Sequence, residues 1–118
     1  MRNRFERQLL ELNNELIQMG SMIEDSIQKA INALIDQNVE LAKKIMDNDT
    51  QIDHEQKKIE NLCFNLLMQQ QPVAKDLRQI STALKVVTDL ERIGDHASDI
   101  AELILRIKSD HAYHIVQH

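Results

Sequence analysis

The sequence is poor in the residues from which turns are made. It contains two Gly and one Pro in 118 residues, and these residue types dominate β-turns and short loops. It also has only two Phe and one Tyr, whereas strands are enriched in aromatic and β-branched residues. A chain of this length is enough for one domain with one core. The scarcity of turn formers therefore favours a few long helices over a sheet.

Cysteine, positive charge and long apolar runs are also scarce. The single cysteine, Cys63, lies in the apolar run "IENLCFNLL" and is typical of a small core residue in a reducing compartment. The net charge of −5 leaves no basic excess for nucleic acid. No apolar run approaches the ~18 residues of a membrane span, and the charged N-terminus is unlike a signal peptide. We expect a soluble intracellular protein.

What is present is Leu and Ile at steps of three and four, which predicts amphipathic helices over about residues 4–36, 39–70 and 73–108. The first stripe is Phe5, Leu9, Leu12, Leu16, Met19, Ile23, Ile27, Ala30 and Leu34. The second repeats every seven residues at Ile45, Ile52, Ile59 and Leu66. The third is Val73, Leu77, Ile80, Leu84, Val87, Leu90, Gly94, Ala97, Ala101 and Ile104. We predict an all-α, antiparallel three-helix bundle in up-down-up order, similar in layout to a spectrin repeat.

Both links between the helices are short. "IDQNVE" supplies the first turn, with Asp36 or Asn38 as the cap of the second helix. Pro72 ends the second helix and pushes Gln71 toward extended geometry. Gly20 lies inside the first helix, where we expect a close neighbour rather than a break. Gly and Ala in the second half of the third helix allow a neighbouring helix to approach closely.

The last segment, residues 109–118, abandons the apolar pattern. It is interpreted as a frayed tail or as the start of a missing second repeat, after a single domain at 1–108. Its histidines suggest a metal site as the alternative to incidental placement. These are His111, His114 and His118.

The stretch "DLERIGDHASDIAE" places Glu91, Asp95 and Asp99 at four-residue steps on one helix, where like charges repel. Counting back the same distance from the Pro72 turn reaches Asp53, one turn from Asp49. Counting from the first turn brings Glu24 and Asp25 of the first helix to this height. Three helices are thus predicted to bring acidic residues to one level.

Two interpretations of these acids compete. They could be solvated at the edge of the bundle, with Arg92, Lys43 or Lys85 as partners. Alternatively they hold a cation, because Asp49 and Glu91 occupy positions where the heptad pattern expects core residues, and a carboxylate there needs a partner. A donor set made only of oxygen suits Mg²⁺, Ca²⁺, Mn²⁺ or iron. The candidate metal ligands are Glu91, Asp95, Asp99, Asp49, Asp53 and Glu24.

Motifs for catalysis are lacking. No His is preceded at three residues by Glu, as in di-iron carboxylate bundles, and no phosphate loop or nucleophile elbow is seen. We therefore predict that the chain is not an enzyme.

The motif "QPVAKDLR", followed at this spacing by "LERIGDHA", resembles the PhoU family of bacterial phosphate-signalling proteins. The stretch "MGSMIEDSIQKAINAL" agrees, and the resemblance runs from about Phe5 to Lys108. It implies metal clusters held by E/DxxxD motifs: Glu91 and Asp95 match the motif directly, Asp99 continues it, and Asp49 and Asp53 match in position. Family members usually hold two such repeats, so the chain resembles the N-terminal half.

The resemblance implies a negative regulator of phosphate uptake and phosphate-starvation signalling. Such a protein would be an adaptor between the phosphate ABC transporter with its ATPase and a sensor histidine kinase, with Mg, Mn or Fe as cofactor. The alternatives are a carboxylate-rich metal-binding or metal-dependent helical protein with no phosphate role, and a coiled-coil oligomerisation module.

Two further apolar ladders predict self-association. Leu10, Ile17 and Ile31 lie off the main stripe of the first helix, and Ile93, Ile100 and Ile107 repeat every seven residues on the third. Exposed patches of this kind usually mark interfaces. We expect a homodimer related by a two-fold axis.

Overall fold

Three long helices make up the protein. The computed structural model describes residues 2–69 and 72–117, with α1 at Arg2–Asp36, α2 at Val39–Met68 and α3 at Ala74–Gln117. Each helix packs against both of the others, and together they form a rod of 71 × 18 × 17 Å. Within the described ranges no residue is in a strand. The predicted all-α three-helix bundle is confirmed.

α3 is longer than the apolar pattern predicts, because it continues past Lys108 to Gln117. No Pro or Gly follows Lys108, so nothing in the sequence stops the backbone from continuing as a helix. The hypothesis of a histidine metal site falls on side chains 111–118, which lie outside the described residues. None of the helices in the described part of the chain is long and apolar enough to cross a lipid bilayer.

The α1–α2 link is a two-residue turn fixed by its side chains. Gln37 has a positive φ of 53°, the left-handed conformation that often ends a helix. The backbone N–H of Asn38 then donates to the carbonyl of Ala33 at 2.9 Å. The Asn38 side chain accepts from the N–H of Leu41 at 3.1 Å. Of the two candidate caps, the structure uses Asn38, while Asp36 is the last residue of α1.

The start of α3 is fixed by Asp76. Its Oδ2 accepts a hydrogen bond from the backbone N–H of Val73 at 3.2 Å, and the side chain is buried. Val73 and Leu77 are exposed instead, so their predicted place in the core is wrong. The buried apolar stripe of α3 begins at Ile80, two turns after Val73, because the buried side chain of the first turn is that of Asp76.

The core is divided into two clusters along the rod. The large cluster occupies the end that holds the Pro72 link and contains mostly bulky side chains: Phe5, Leu9, Leu12, Met19, Ile23, Ile52, Ile59, Leu62, Cys63, Leu66, Ile80, Ala83 and Val87. The small-residue cluster occupies the other end: Ala30, Ala33, Ala42, Ile45, Ala97, Ala101 and Ile104. Cys63 is a buried core residue with a free thiol, as predicted.

The two glycines have opposite surroundings. A Cβ added to Gly94 would lie 2.8 Å from Ile23 Cδ1, which confirms that small residues of α3 allow α1 to approach. A Cβ added to Gly20 would meet no atom within 4 Å. The helix is unbroken at Gly20 as expected, but the part of the chain that the structure describes does not supply the expected close neighbour.

Candidate functional site

Four carboxylates come together on the side of the bundle where α2 and α3 meet, and we call them the acidic cluster. Asp49 and Asp53 lie one turn apart on α2, and Glu91 and Asp95 lie one turn apart on α3. Their heights match because both helices run from the Pro72 link at the same rise per residue. Asp49, Asp53 and Glu91 are half-buried, whereas Asp95 is exposed.

The electrostatics of Glu91 show how close these groups are. A hydrogen-bonding contact with Asp95 raises the pKa of Glu91, and partial burial together with the charges of Asp95, Asp53 and Asp49 raises that pKa further. Each of these effects disfavours the ionised form. A positive charge placed among these carboxylates would therefore favour ionised Glu91.

The pKa of Asp49 is also raised, but its main cause differs from that at Glu91. Burial raises the pKa of Asp49, and the charges of Asp53 and Asp95 raise it further. A hydrogen bond from Ser98 Oγ to Asp49 Oδ1 at 3.2 Å partly offsets these effects. Ser98 was not singled out from the sequence, although its position seven residues after Glu91 places it on the same side of α3.

Two predicted ligands lie apart from the acidic cluster. The Asp99 side chain is 73% exposed and lies 3.9 Å from His96 Nδ1. Glu24 is exposed on α1, and neither residue is among the charges that raise the pKa of Asp49 or Glu91. Asp25 does reach the predicted height, because it lines a groove with Asn48 and Gln51 of α2. Its carboxylate, however, pairs with Lys29 at 2.8 Å.

The acidic cluster has the donor atoms of a metal site but not a finished geometry. Among the described residues, no group of three or more His, Cys, Asp or Glu side chains is arranged to hold a metal ion. All four cluster side chains offer carboxylate oxygens, which are the ligands preferred by Mg²⁺, Mn²⁺ and Ca²⁺. A cation would therefore have to draw the carboxylates of α2 and α3 together by side-chain rotation.

The alternative of solvated acids with basic partners fits the cluster only at Asp95, which is exposed. Of the three proposed partners, Lys43 pairs with Glu40 on its own helix at 3.9 Å, away from the cluster. The half-buried state of Asp49 and Glu91 and their raised pKa values are unlike those of a freely solvated surface.

A second pair of carboxyl groups lies between α1 and α2 and was not predicted from the sequence. Glu55 is only 8% exposed, and its pKa is raised to about 7 by burial and by Glu15, whose own pKa is lowered by Glu55 and Lys58. Lys58 Nζ lies 3.1 Å from Glu15 Oε1. Within the described structure, Glu15 Oε2 and Glu55 Oε1 are buried without a donor. A proton on Glu55, donated to ionised Glu15, satisfies both oxygens.

Comparison with protein families gives a match over most of the chain. A family model described as the PhoU domain matches residues 16–104. This range contains the whole of α2, parts of α1 and α3, and the whole acidic cluster.

Individual relatives and a solved structure agree with that match. A protein of Clostridium acetobutylicum, named a phosphate-specific transport system accessory protein PhoU homolog, is 48% identical over 96% of this chain and 52% of its own length. A homologue of the same name from Pseudomonas aeruginosa is 38% identical over 87% of this chain and 43% of its own. The crystal structure of PhoU from Pseudomonas aeruginosa superimposes with a TM-score of 0.86 at 37% identity, covering 90% of this chain and 51% of that one. The chain thus spans about half the length of these relatives.

Proposed function

The chain belongs to the PhoU family, and on that premise we propose that it is a negative regulator of phosphate uptake and phosphate-starvation signalling. The observation that carries the proposal is the 48% identity, over nearly the whole chain, to a protein named an accessory protein of phosphate-specific transport. Family members are regulatory accessory proteins, which agrees with the prediction that the chain is not an enzyme.

The proposed mode of action is that of an adaptor in the cytoplasm. The chain would contact the ATPase of the phosphate ABC transporter and its sensor histidine kinase, and would reach the membrane only through them. Three long helices with exposed side chains support this role, because a rod-shaped bundle offers extended surfaces for contact with other proteins. Since the chain spans about half of its relatives, both partners belong to the proposal.

We also propose that the acidic cluster binds Mg²⁺, Mn²⁺ or iron. Glu91 and Asp95 of α3 and Asp49 and Asp53 of α2 would hold the ion, with Asp99, one turn beyond Asp95 on α3, and Glu24 of α1 as additional ligands. A bound cation supplies positive charge that offsets the mutual repulsion of the four carboxylates. Ser98 would keep Asp49 oriented through its hydrogen bond at 3.2 Å.

The metal proposal is tested with a double variant, Glu91→Gln with Asp95→Asn. We expect it to lose binding of Mn²⁺, Mg²⁺ and iron in calorimetric titrations, because each carboxylate supplies charge that the ion needs. In metal-free buffer it should be more stable than the parent, since like-charge repulsion is relieved. The matched control is Asp89→Asn with Glu102→Gln, which removes the same charge from α3 outside the cluster. Equal metal binding by the parent and the double variant would show that the site is wrong.

The regulatory proposal is tested in cells. Deleting the full-length gene should derepress phosphate-scavenging genes even in high phosphate, and re-expression should restore repression. A pull-down from phosphate-replete cells should recover the transporter ATPase or the kinase. Unchanged expression in the deletion strain would contradict regulation and would leave metal binding to be judged by its own titration.

One alternative function has an observation of its own. A metal-binding helical protein without a phosphate role would need only the acidic cluster, which depends on spacing and not on the family. Metal binding together with normal phosphate regulation in the deletion strain would favour it. The alternative of a plain oligomerisation module predicts self-association without metal binding.

A further inference from the structure

The end of the rod at the Pro72 link differs in charge from the rest of the molecule. The start of α1 lies beside the end of α2 there, because Gln69 Nε2 donates to Gln8 Oε1 at 2.6 Å, and α3 begins just after the link. In the first two turns of α1 and α3, Glu6 is exposed and Asp76 is buried. Four basic side chains are exposed in the same turns: Arg4, Arg7, Lys75 and Arg78. This end is therefore basic, although the whole chain carries a net charge of −5.

Large apolar side chains are exposed at the same end, on both sides of the link. Met68, the last residue of α2, is 84% exposed, and Val73, just before α3, is 56% exposed. Phe64, one turn before Met68, and Leu77, one turn after Val73, are exposed as well. We call these four apolar side chains together with the four basic ones the tip. Basic and apolar groups thus alternate around one end of the bundle.

We propose that the tip binds the surface of an anionic lipid bilayer. Lys and Arg attract anionic headgroups, and exposed apolar side chains beside them enter the boundary between headgroups and acyl chains. A bilayer accepts protruding apolar side chains in any arrangement, whereas a protein partner has to supply a pocket for each of them. In the proposed function the chain reaches the membrane through its partners; the tip goes beyond that function by adding a lipid contact that the chain makes itself.

The distribution of charge fixes the orientation of the rod on the membrane. Asp53 of the acidic cluster precedes Phe64 by eleven residues, which is about 16 Å along α2. This distance is about twice the Debye length at physiological ionic strength, so the acidic cluster repels the membrane weakly when only the tip touches it. A rod lying flat would bring the acidic cluster to the anionic surface. The rod therefore stands on its end.

The charge of the tip is tested by flotation of the purified 118-residue chain with lipid vesicles. At low salt we expect the parent to float with vesicles of phosphatidylglycerol and phosphatidylcholine in equal parts, but not with phosphatidylcholine alone, and high salt should release it. Each Lys or Arg near an anionic surface strengthens binding about fivefold. Lys75→Glu with Arg78→Glu should therefore weaken binding by more than about tenfold. The matched control is Lys43→Glu with Lys44→Glu, the same change in exposed residues at the opposite end of the rod, and it should bind as the parent does.

The apolar part of the tip is tested with a second matched pair. Met68→Ser should weaken binding to the anionic vesicles severalfold, because Met68 then no longer enters the bilayer boundary. Ile35→Ser should leave binding unchanged, since Ile35 is 73% exposed at the opposite end of the rod. Far-UV circular dichroism verifies that each variant remains helical. Met68 is so exposed that its variant serves even if the charge variant unfolds.

Two outcomes would overturn the proposal. One is a parent that stays with the unbound protein in the presence of anionic vesicles at low salt, which would leave the tip to an acidic protein partner. The other is equal binding, or equal loss of binding, in the tip variants and their matched controls, which would place the lipid contact elsewhere. Because only purified chain and lipid are present, failure here is distinguishable from failure of the proposed regulation or of metal binding.

Discussion

At the scale of single residues, the buried pair of Glu15 and Glu55 makes stability depend on pH. The folded protein keeps a proton on Glu55 up to a pKa of about 7, whereas the ordinary value is 4.5. Between these two pH values the folded state binds more protons than the unfolded chain, so the free energy of unfolding falls as pH rises. The lowered pKa of Glu15 acts in the opposite direction and in a different range, because it makes the free energy of unfolding rise with pH below the ordinary value of 4.5.

We expect Glu55→Gln to stabilise the protein at pH 8 by about 1–2 kcal/mol, because a neutral amide can donate to Glu15 without a proton. At pH 4.5 the variant and the parent should differ little. Urea unfolding at both pH values measures the difference. The control is Glu60→Gln, on the same helix, which should not change how the free energy of unfolding depends on pH. If Glu55→Gln kept the pH dependence of the parent, the proton shared by Glu15 and Glu55 would be contradicted.

The two glycines give a second prediction. Gly20→Ala should raise the free energy of unfolding by about 0.5–1 kcal/mol, because Ala is the better helix former and the new methyl group enters open space. Gly94→Ala should destabilise, because its methyl group would lie 2.8 Å from Ile23 Cδ1 in the core. Each variant is the control for the other in thermal unfolding. If both variants gained stability, the Ile23 side chain would have to move away from the new methyl group at little cost.

Residue types predicted the acidic cluster better than they predicted which carboxylate is buried. Counting from the Pro72 link was enough to bring Asp53 and Glu91 to one height, because helical rise is constant. The same heptad placed Asp49 in the core, yet Asp49 is half-buried and Glu55 is buried. Burial of an acid depends on a neighbour that can accept its proton, here Glu15, and a one-dimensional pattern does not contain that neighbour.

At the scale of whole helices, the apolar stripe of α1 was predicted well at its start and poorly at its end. Leu12, Met19 and Ile23 are buried as predicted. Farther along, Ile27 and Leu34 are exposed while the adjacent residues Ser26 and Ala33 are buried. Ser26 and Ala33 lie seven and fourteen residues after Met19, so the buried positions keep a seven-residue repeat, as in helices that wrap around one another. The predicted stripe left this repeat when it followed the bulky residues Ile27 and Leu34.

The turn between α1 and α2 has a prediction of its own. Asn38→Ala removes the side chain that accepts from Leu41 N–H at 3.1 Å and should cost about 1 kcal/mol of stability. Asp36→Ala should cost nothing or slightly stabilise, because Asp36 is at the C-terminal end of α1, where the helix dipole disfavours negative charge. Chemical denaturation of the two variants distinguishes the caps. A larger cost at Asp36 would reverse their assignment.

At the scale of the whole molecule, the fold was predictable because each level of the sequence points the same way. Three periodic segments, a cap at Asn38 and a stop at Pro72 leave few arrangements other than up-down-up packing. The division of the core into two clusters was less predictable. It follows from the change from bulky residues such as Val87 to Ala97 and Ala101 along α3, whose effect depends on how closely the other helices approach.

The position of the acidic cluster along the rod has a mechanical consequence. On α2, Asp49 lies between Ile45 of the small-residue cluster and Ile52 of the large cluster, so the carboxylates sit at the joint between two cores. A rod bends most easily where its core is interrupted. Repulsion among the acidic residues between the two clusters should make the rod easier to bend. A cation bound by both α2 and α3 at this position should make the rod more rigid.

This stiffness is measurable with spin labels at the two ends of the rod, on Arg7→Cys and Arg106→Cys in a Cys63→Ala chain. We expect Mg²⁺ to narrow the distribution of label-to-label distances in pulsed electron resonance. The same addition should leave the distribution of the Glu91→Gln, Asp95→Asn chain unchanged. A parent distribution equally broad with and without Mg²⁺ would contradict the joint. If the joint stiffens, metal occupancy in the middle of the molecule is felt as rigidity at both of its ends.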